Sequence, residues 1–277
     1  MVTAAAVTLG GCAALEFRHA LFGDGQNCDW PGLYDPAARA NAASLTTLPL
    51  DPFGKPETGW AIYAPAVAQA TKTACPATTP AFAWALAYWQ FRHGLTPHGA
   101  VDLPTFAAMK NEWQQRRPFV RLRESGVCPD PPTALATLTP EESRADKPVQ
   151  LRPDALAALR RMVAAARREN GEIAADPPLL TAFSGFRDPA ADAARCAAEQ
   201  NCQGLVRAEC SAHRTGLAVD LDLGAAPGFA ADSSDDANRL YQTQTPAYRW
   251  LVANAGRFGF VNYVYEPWHW EWTGAQP

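Results

Sequence analysis

Hydrophobic and polar positions alternate in two stretches near the C-terminal end of the chain. Leu217, Val219, Leu221 and Leu223 fall on one side, and Ala218, Asp220 and Asp222 on the other. That period of two is the mark of a strand with one buried face. Within EPWHWEW, Trp268, Trp270 and Trp272 share one face while His269 and Glu271 share the opposite one. Elsewhere the period is helical. Phe82 to Phe91 (FAWALAYWQF) carries apolar residues at helical spacing, and His93-Gly94 supplies a stop. A Gly/Pro turn then leads into a second amphipathic helix starting near Pro104. Pro153 to Glu169 sets Leu156, Leu159 and Val163 opposite an arginine-rich face. Leu179 to Phe183 reads as a short strand, and Asp188 as the cap of a helix beginning at Pro189. The order of these elements predicts an α+β fold, with a mostly antiparallel sheet in the C-terminal half and a small helical domain before it.

Composition divides the chain further. Residues 124–150 are rich in proline and charge with little periodicity, which is linker composition. They separate a helical region at 57–123 from a second domain at 151–277, and 13–56 carries no assignable motif. The first twelve residues, MVTAAAVTLGGC, are small and apolar and resemble a bacterial lipobox, in which Cys12 becomes a lipidated N-terminus and a membrane anchor. A positively charged leader is missing, so the rival reading is an N-terminus with one stray cysteine. The formal net charge of −4 leaves no basic surplus for a nucleic-acid partner. No apolar run reaches the ~18 residues of a transmembrane helix.

Seven cysteines are present, and setting Cys12 aside leaves six, enough for three disulfides in an oxidising compartment. Cys196, Cys202 and Cys210 lie close together, so at least one of them is expected to pair locally. No C-x2-C pair exists, which excludes a zinc ribbon. A cell-envelope location follows.

The candidate chemistry lies on the two alternating stretches. SAHRTGLAVDLDLG, Ser211 to Gly224, holds His213 and Asp220 seven residues apart, half of a metal site. His269 supplies a third ligand, and a His2Asp set with a fourth position open to water is what a catalytic zinc needs. A neighbouring carboxylate can then act as general base. Alternation nominates Glu271, on the same face as His269. Glu266, three positions before the histidine, needs a turn at Pro267 to reach the same metal.

Four linked strings resemble one family. SxHxxGxAxD (Ser211 to Asp220), ExWH (Glu266 to His269), SGFR (Ser184 to Arg187) and YRWLVANAGRFGFV (Tyr248 to Val261) are similar to the VanY-type D-alanyl-D-alanine carboxypeptidases, in the group of zinc peptidases that includes lysostaphin-like enzymes and the hedgehog fold. The resemblance implies that His213, Asp220 and His269 bind Zn2+, that Glu266 rather than Glu271 is the general base, and that Arg187 steadies the substrate carbonyl oxygen. It also implies that Ser211 hydrogen-bonds substrate and that Asp222 stays outside the metal shell. The implied reaction is removal of terminal D-alanine from peptidoglycan stem peptides; the chain is expected to act as a monomer. The rivals are a zinc endopeptidase of the same group and a non-catalytic wall-binding protein. One departure stands out: where the family commonly continues with arginine and tyrosine after the histidine string, this chain has Glu271-Trp272. Upstream, WQFRHGLTPHGAVDLPTFAAMK resembles a peptidoglycan-binding module through Gln90, Phe91, Gly94, Leu95, Gly99, Val101 and Thr105, with His98 in place of the usual aspartate.

Overall fold

The computed structural model describes residues 27–123, 126–145, 147–198, 200 and 210–274. The chain forms two compact units, one of Val67–Phe106 with the chain up to Leu48, the other of Pro49–Ala66 with Ala107–Pro277. Cys12 and Cys202 lie outside the described residues.

The helices of the first half are α1 (Asp35–Ser44), α2 (Ala64–Thr71), α3 (Pro80–Arg92) and α4 (Leu103–Arg116). Thr79 caps α3 by accepting the Phe82 amide, and Pro80 fills the first helical position, where no N–H is needed. The polar residues of the module-like string have structural work. Gln90, fully buried, accepts the Gly99 amide at 2.8 Å and donates to the Ala100 carbonyl and the Thr105 hydroxyl. Asn41 donates to the Gly99 carbonyl and accepts the Val101 amide. The turn is thus satisfied at each end by buried amides. Gly99 sits at φ +76°, and a Cβ there would meet the Ala83 carbonyl oxygen at 2.5 Å, so only glycine fits. Cys28 and Cys75 are joined by a disulfide in the same unit.

The second unit contains two small antiparallel pairs, β1 (Pro49–Leu50) with β2 (Glu57–Thr58) and β3 (Ala136–Thr137) with β4 (Gln150–Leu151). The helices that follow α4 are α5 (Pro118–Leu122), α6 (Pro153–Glu169), α7 (Gly171–Ala175), α8 (Pro189–Ala198), α9 (Asp236–Gln244) and α10 (Pro246–Asn254). Its main sheet is β5 (Ala182–Ser184), β6 (Ala218–Leu221), β7 (Phe260–Asn262) and β8 (His269–Trp272), in the order β5-β6-β8-β7 and antiparallel throughout. The first of these strands starts later than the pattern predicts. Leu180 takes a positive φ of 66°, and its amide reaches the Asp222 carbonyl before regular pairing begins.

One face of the sheet builds the core. Val219, Leu221, Trp268, Trp270 and Trp272 pack with Leu156, Leu159 and Met162 of α6 and Tyr248 and Leu251 of α10. The indole N–H groups of Trp270 and Trp272 donate to the Pro267 and Phe258 carbonyls, which removes the penalty of burying them. The stretch with linker composition is laid against this core. Leu138 and Val149 are buried in it, the Glu142 carbonyl and Arg144 amide bracket Ala182, and Cys128 is disulfide-bonded to Cys210. Cys210, from the dense cysteine group, therefore pairs 82 positions away. Cys196 is disulfide-bonded too. The opposite, polar face is also buried: all four residues of β6 and of β8 are shielded from solvent.

Candidate active site

Strand register makes the centre. Asp220 in β6 lies directly across from His269 in β8, so a carboxylate and an imidazole meet on the polar face. The Asp220 Oδ1 and His269 Nδ1 are 2.9 Å apart. His213 arrives from the short 3-10 turn Ala212–Thr215, and its Nε2 is 3.2 Å from the Asp220 Oδ2. Its other nitrogen is 2.7 Å from the Gly185 carbonyl, which can only accept. Nδ1 therefore carries the proton and Nε2 faces inward with a free lone pair. Gly185 itself cannot be larger, since a Cβ would meet the Gln150 carbonyl oxygen at 2.5 Å. The donor atoms of His213, Asp220 and His269 lie within 4.8 Å of one another, all three buried. The expected ligand set is brought together.

Protonation equilibria bear the marks of this crowding. Burial holds the His213 imidazole below the ordinary histidine value, favouring the neutral ring. Burial acts in the same sense on His269, but its contacts with Asp220 and Glu271 outweigh it and raise that ring to about 9. Burial pushes Asp220 up, and the two histidines overcome it and hold the carboxyl below the usual range. A buried carboxylate between two imidazoles is a donor set suited to a divalent cation.

Glu266 reaches the centre through a turn, as Pro267 suggests. The Glu266 carbonyl accepts the His269 amide, and the side-chain amide of Asn262 donates to the Glu266, Pro267 and His269 carbonyls. The Glu266 Oε2 sits 3.9 Å from the His269 Nδ1. Burial raises this carboxyl to about 7, against a partial offset from His269. Glu271 is held differently. Its Oε1 accepts the Arg117 Nε at 2.6 Å and its Oε2 the Phe119 amide at 2.9 Å. Burial works against its ionisation, but Arg117 and His269 bring it down to about 2. Two glutamates flank one histidine, and only Glu266 stays near neutrality in its affinity for a proton.

Arg187 and Ser211 converge on a residue the sequence does not single out. Asp192, nearly fully buried in α8, accepts the Arg187 Nη1 at 3.1 Å and the Ser211 hydroxyl at 2.7 Å. Asp222 stays outside the cluster, ion-paired to Arg144 and accepting the Gly224 amide. All of these candidates except Asp222, Asp192 and Glu271 line one cleft of about 620 Å3, which Arg117, Arg123, Lys147 and Arg195 also line. Asp192, Arg117 and the Gly185 carbonyl are the functional groups that sequence reasoning misses. Asp192 reads as an ordinary helix residue and Arg117 lies 152 positions before His269, so no local spacing marks either.

Residues 148–275 match the VanY family, described as D-alanyl-D-alanine carboxypeptidase. Among solved structures, LdcB, an LD-carboxypeptidase whose structure is described as revealing the molecular basis of peptidoglycan recognition, is similar over 52% of this chain and 70% of its own, at 21% identity and a TM-score of 0.37. No curated protein matches the chain.

Proposed function

We propose that the chain, whose residues 148–275 match the VanY family, is a zinc-dependent D,D-carboxypeptidase that removes terminal D-alanine from peptidoglycan stem peptides. The observation that carries this reading is the pairing of a His2Asp donor set with a separate carboxylate, Glu266, raised to about 7 and 3.9 Å from one of the ligands. Two imidazoles and a carboxylate within 4.8 Å fit zinc and leave a position for water or substrate. Zinc bound there supplies a Lewis acid that polarises the scissile carbonyl and acidifies a water.

The chain's own groups do the rest. Glu266 takes the water's proton and returns it to the departing amine of D-alanine, a task that favours a pKa near the working pH. Arg187, fixed by Asp192, offers a charged donor to the carbonyl oxygen as negative charge develops. Ser211, held by the same aspartate, is placed to contact substrate backbone. The Gly185 carbonyl keeps the inner nitrogen of His213 unprotonated. Cationic residues along the cleft favour a substrate that ends in a free carboxylate.

The disulfides belong to an oxidising, extracytoplasmic compartment, and we take the periplasmic side of a bacterial envelope as that compartment. Cys12 would serve as lipid anchor and the helical region at 57–123 as a wall-binding part that raises local substrate concentration. Mass analysis of products formed by the zinc-loaded protein tests the activity. A pentapeptide muropeptide should release free D-alanine, and a chelator or Glu266→Ala should stop it. Release from a tetrapeptide alone would reassign the enzyme as L,D-specific. Cleavage of cross-linked dimers without D-alanine release would make it an endopeptidase.

A further inference from the structure

The family match begins at residue 148, yet the cleft wall beside His269 comes from residues before it. At the junction of α4 and α5, Arg117 and Phe119 hold the Glu271 carboxylate from two directions, at 2.6 and 2.9 Å. The guanidinium is itself fixed. It lies 3.9 Å over the Tyr263 ring, and its Nη1 donates to Gln114. Glu271 is 1% exposed, so neither oxygen is dispersed into water. The same Oε1 that takes Arg117 is 3.4 Å from the His269 Nε2, which makes no shorter hydrogen bond among the described residues. His269 turns its other nitrogen, Nδ1, toward Asp220 and the donor cluster.

We propose that Glu271, braced by Arg117 and the Phe119 amide, is the positioning residue for His269 as a metal ligand, so that the segment before the family-matched region completes the metal centre. The inference rests on the reading of His213, Asp220 and His269 as a zinc site. An imidazole that binds through Nδ1 carries its proton on Nε2, and a fixed anion beside that proton orients the ring and makes Nδ1 more basic. Without the brace, a lone glutamate side chain would be free to swing away from the ring. Removing an outer partner of this kind costs 10- to 100-fold in metal affinity, roughly, where it has been removed from other sites.

The test is zinc affinity of the full-length protein, read by competition with a chromophoric chelator, together with the visible absorption of the cobalt-substituted form. Glu271→Gln keeps the size and should weaken zinc binding by about 10- to 100-fold and shift the cobalt band. Arg117→Gln combined with Glu271→Gln removes both charges of the buried pair and should match the single variant, because the carboxylate is already gone. A folded Glu271→Gln or double variant with zinc affinity within about twofold of wild type and an unchanged cobalt band overturns the inference. His269→Ala separates the two levels: if it leaves zinc affinity intact, the metal-site reading itself fails. If it abolishes binding while Glu271→Gln does not alter it, only the positioning role falls.

Discussion

Glu266 is asked to be ionised in a place that disfavours ionisation. Its side chain is 13% exposed, and burial lifts it to about 7. A base must be unprotonated to act, so kcat/KM should fall about tenfold per pH unit on the acid side of its pKa. A bound dication would lower that pKa, so the limb should lie at or below pH 7, and Glu266→Gln should abolish it with a loss of roughly 10²- to 10⁴-fold in kcat. A pH–rate profile checks both, and an unchanged limb in the variant would remove Glu266 from the base role. The same shift has a stability sign. The folded pKa lies above the ordinary 4.5, so folding disfavours the ionised group, and stability drops as pH rises from 4.5 through 7. Metal-free Glu266→Gln should therefore be more stable than wild type at pH 8 by about 1–3 kcal/mol and nearly equal at pH 5. Urea denaturation at the two pH values decides, and equal stabilities at both would contradict the desolvation. Alternation alone nominates Glu271 over Glu266, because a period of two cannot see a turn. Pro267 signalled the turn, while the brace on Glu271 was invisible, since its partner Arg117 is remote in sequence.

At the scale of elements, the centre depends on two strands, one short turn and one tight contact. Asp220 faces His269 by register, and the neighbours on either side of each ligand are core residues, Val219 and Leu221 in β6, and Trp270 in β8 with Trp268 just before it. A slip of one residue would send the ligands into the core and the tryptophans into the cleft. That coupling of pattern to chemistry is why these strands were legible in the sequence. The SGFR segment was legible only as a string. Its glycine is needed because Gly185 passes so close to β4 that a Cβ would meet the Gln150 carbonyl oxygen at 2.5 Å and the Val149 side chain at 2.8 Å. Gly185→Ala must push the backbone away, and its carbonyl, which fixes the His213 proton, moves with it. The variant should lose about 1–3 kcal/mol of stability from overpacking. Zinc affinity should fall by roughly tenfold through the displaced hydrogen bond. Denaturation and chelator competition on one preparation would check this, and a stability loss with unaltered zinc affinity would mean that the carbonyl does not set the ligand's tautomer.

Across the whole second unit, segments distant in sequence are joined by buried polar groups, and composition gave no hint of it. Glu57 in β2 and Arg239 in α9 are 182 positions apart and meet at 2.8 Å with the guanidinium fully buried. Arg239 also donates to the Tyr63 hydroxyl and the Tyr265 carbonyl and lies 4.2 Å over the Tyr265 ring, while Tyr63 donates back to Glu57. Every member of this network is satisfied, which is the condition under which a buried charge is tolerated. Residues 49–56 carry no assignable motif and 57–66 read only as the start of the helical region, because what this stretch contributes is one carboxylate and a few aromatic rings at positions set by the fold. Phe53, for example, stands edge-on to Tyr263 at 5.5 Å, behind the ring that supports Arg117. The network should therefore fix residues 49–66 against the rest of the unit. Glu57→Ala leaves Arg239 buried with Asp236 as its remaining carboxylate at 3.1 Å, and should destabilise the protein by about 3–5 kcal/mol, the range for breaking a buried pair by removing one partner. Adding Arg239→Met removes the stranded charge and should restore most of that loss, because a well-packed apolar replacement of both partners is close to neutral. Urea denaturation of the wild type, both single variants and the double variant closes the cycle. A Glu57→Ala protein within about 1 kcal/mol of wild type, or a double variant less stable than Glu57→Ala, would show that the pair does not bind this segment to the rest of the unit, since the coupling between interacting buried groups is expected to reach at least about 0.5–3 kcal/mol.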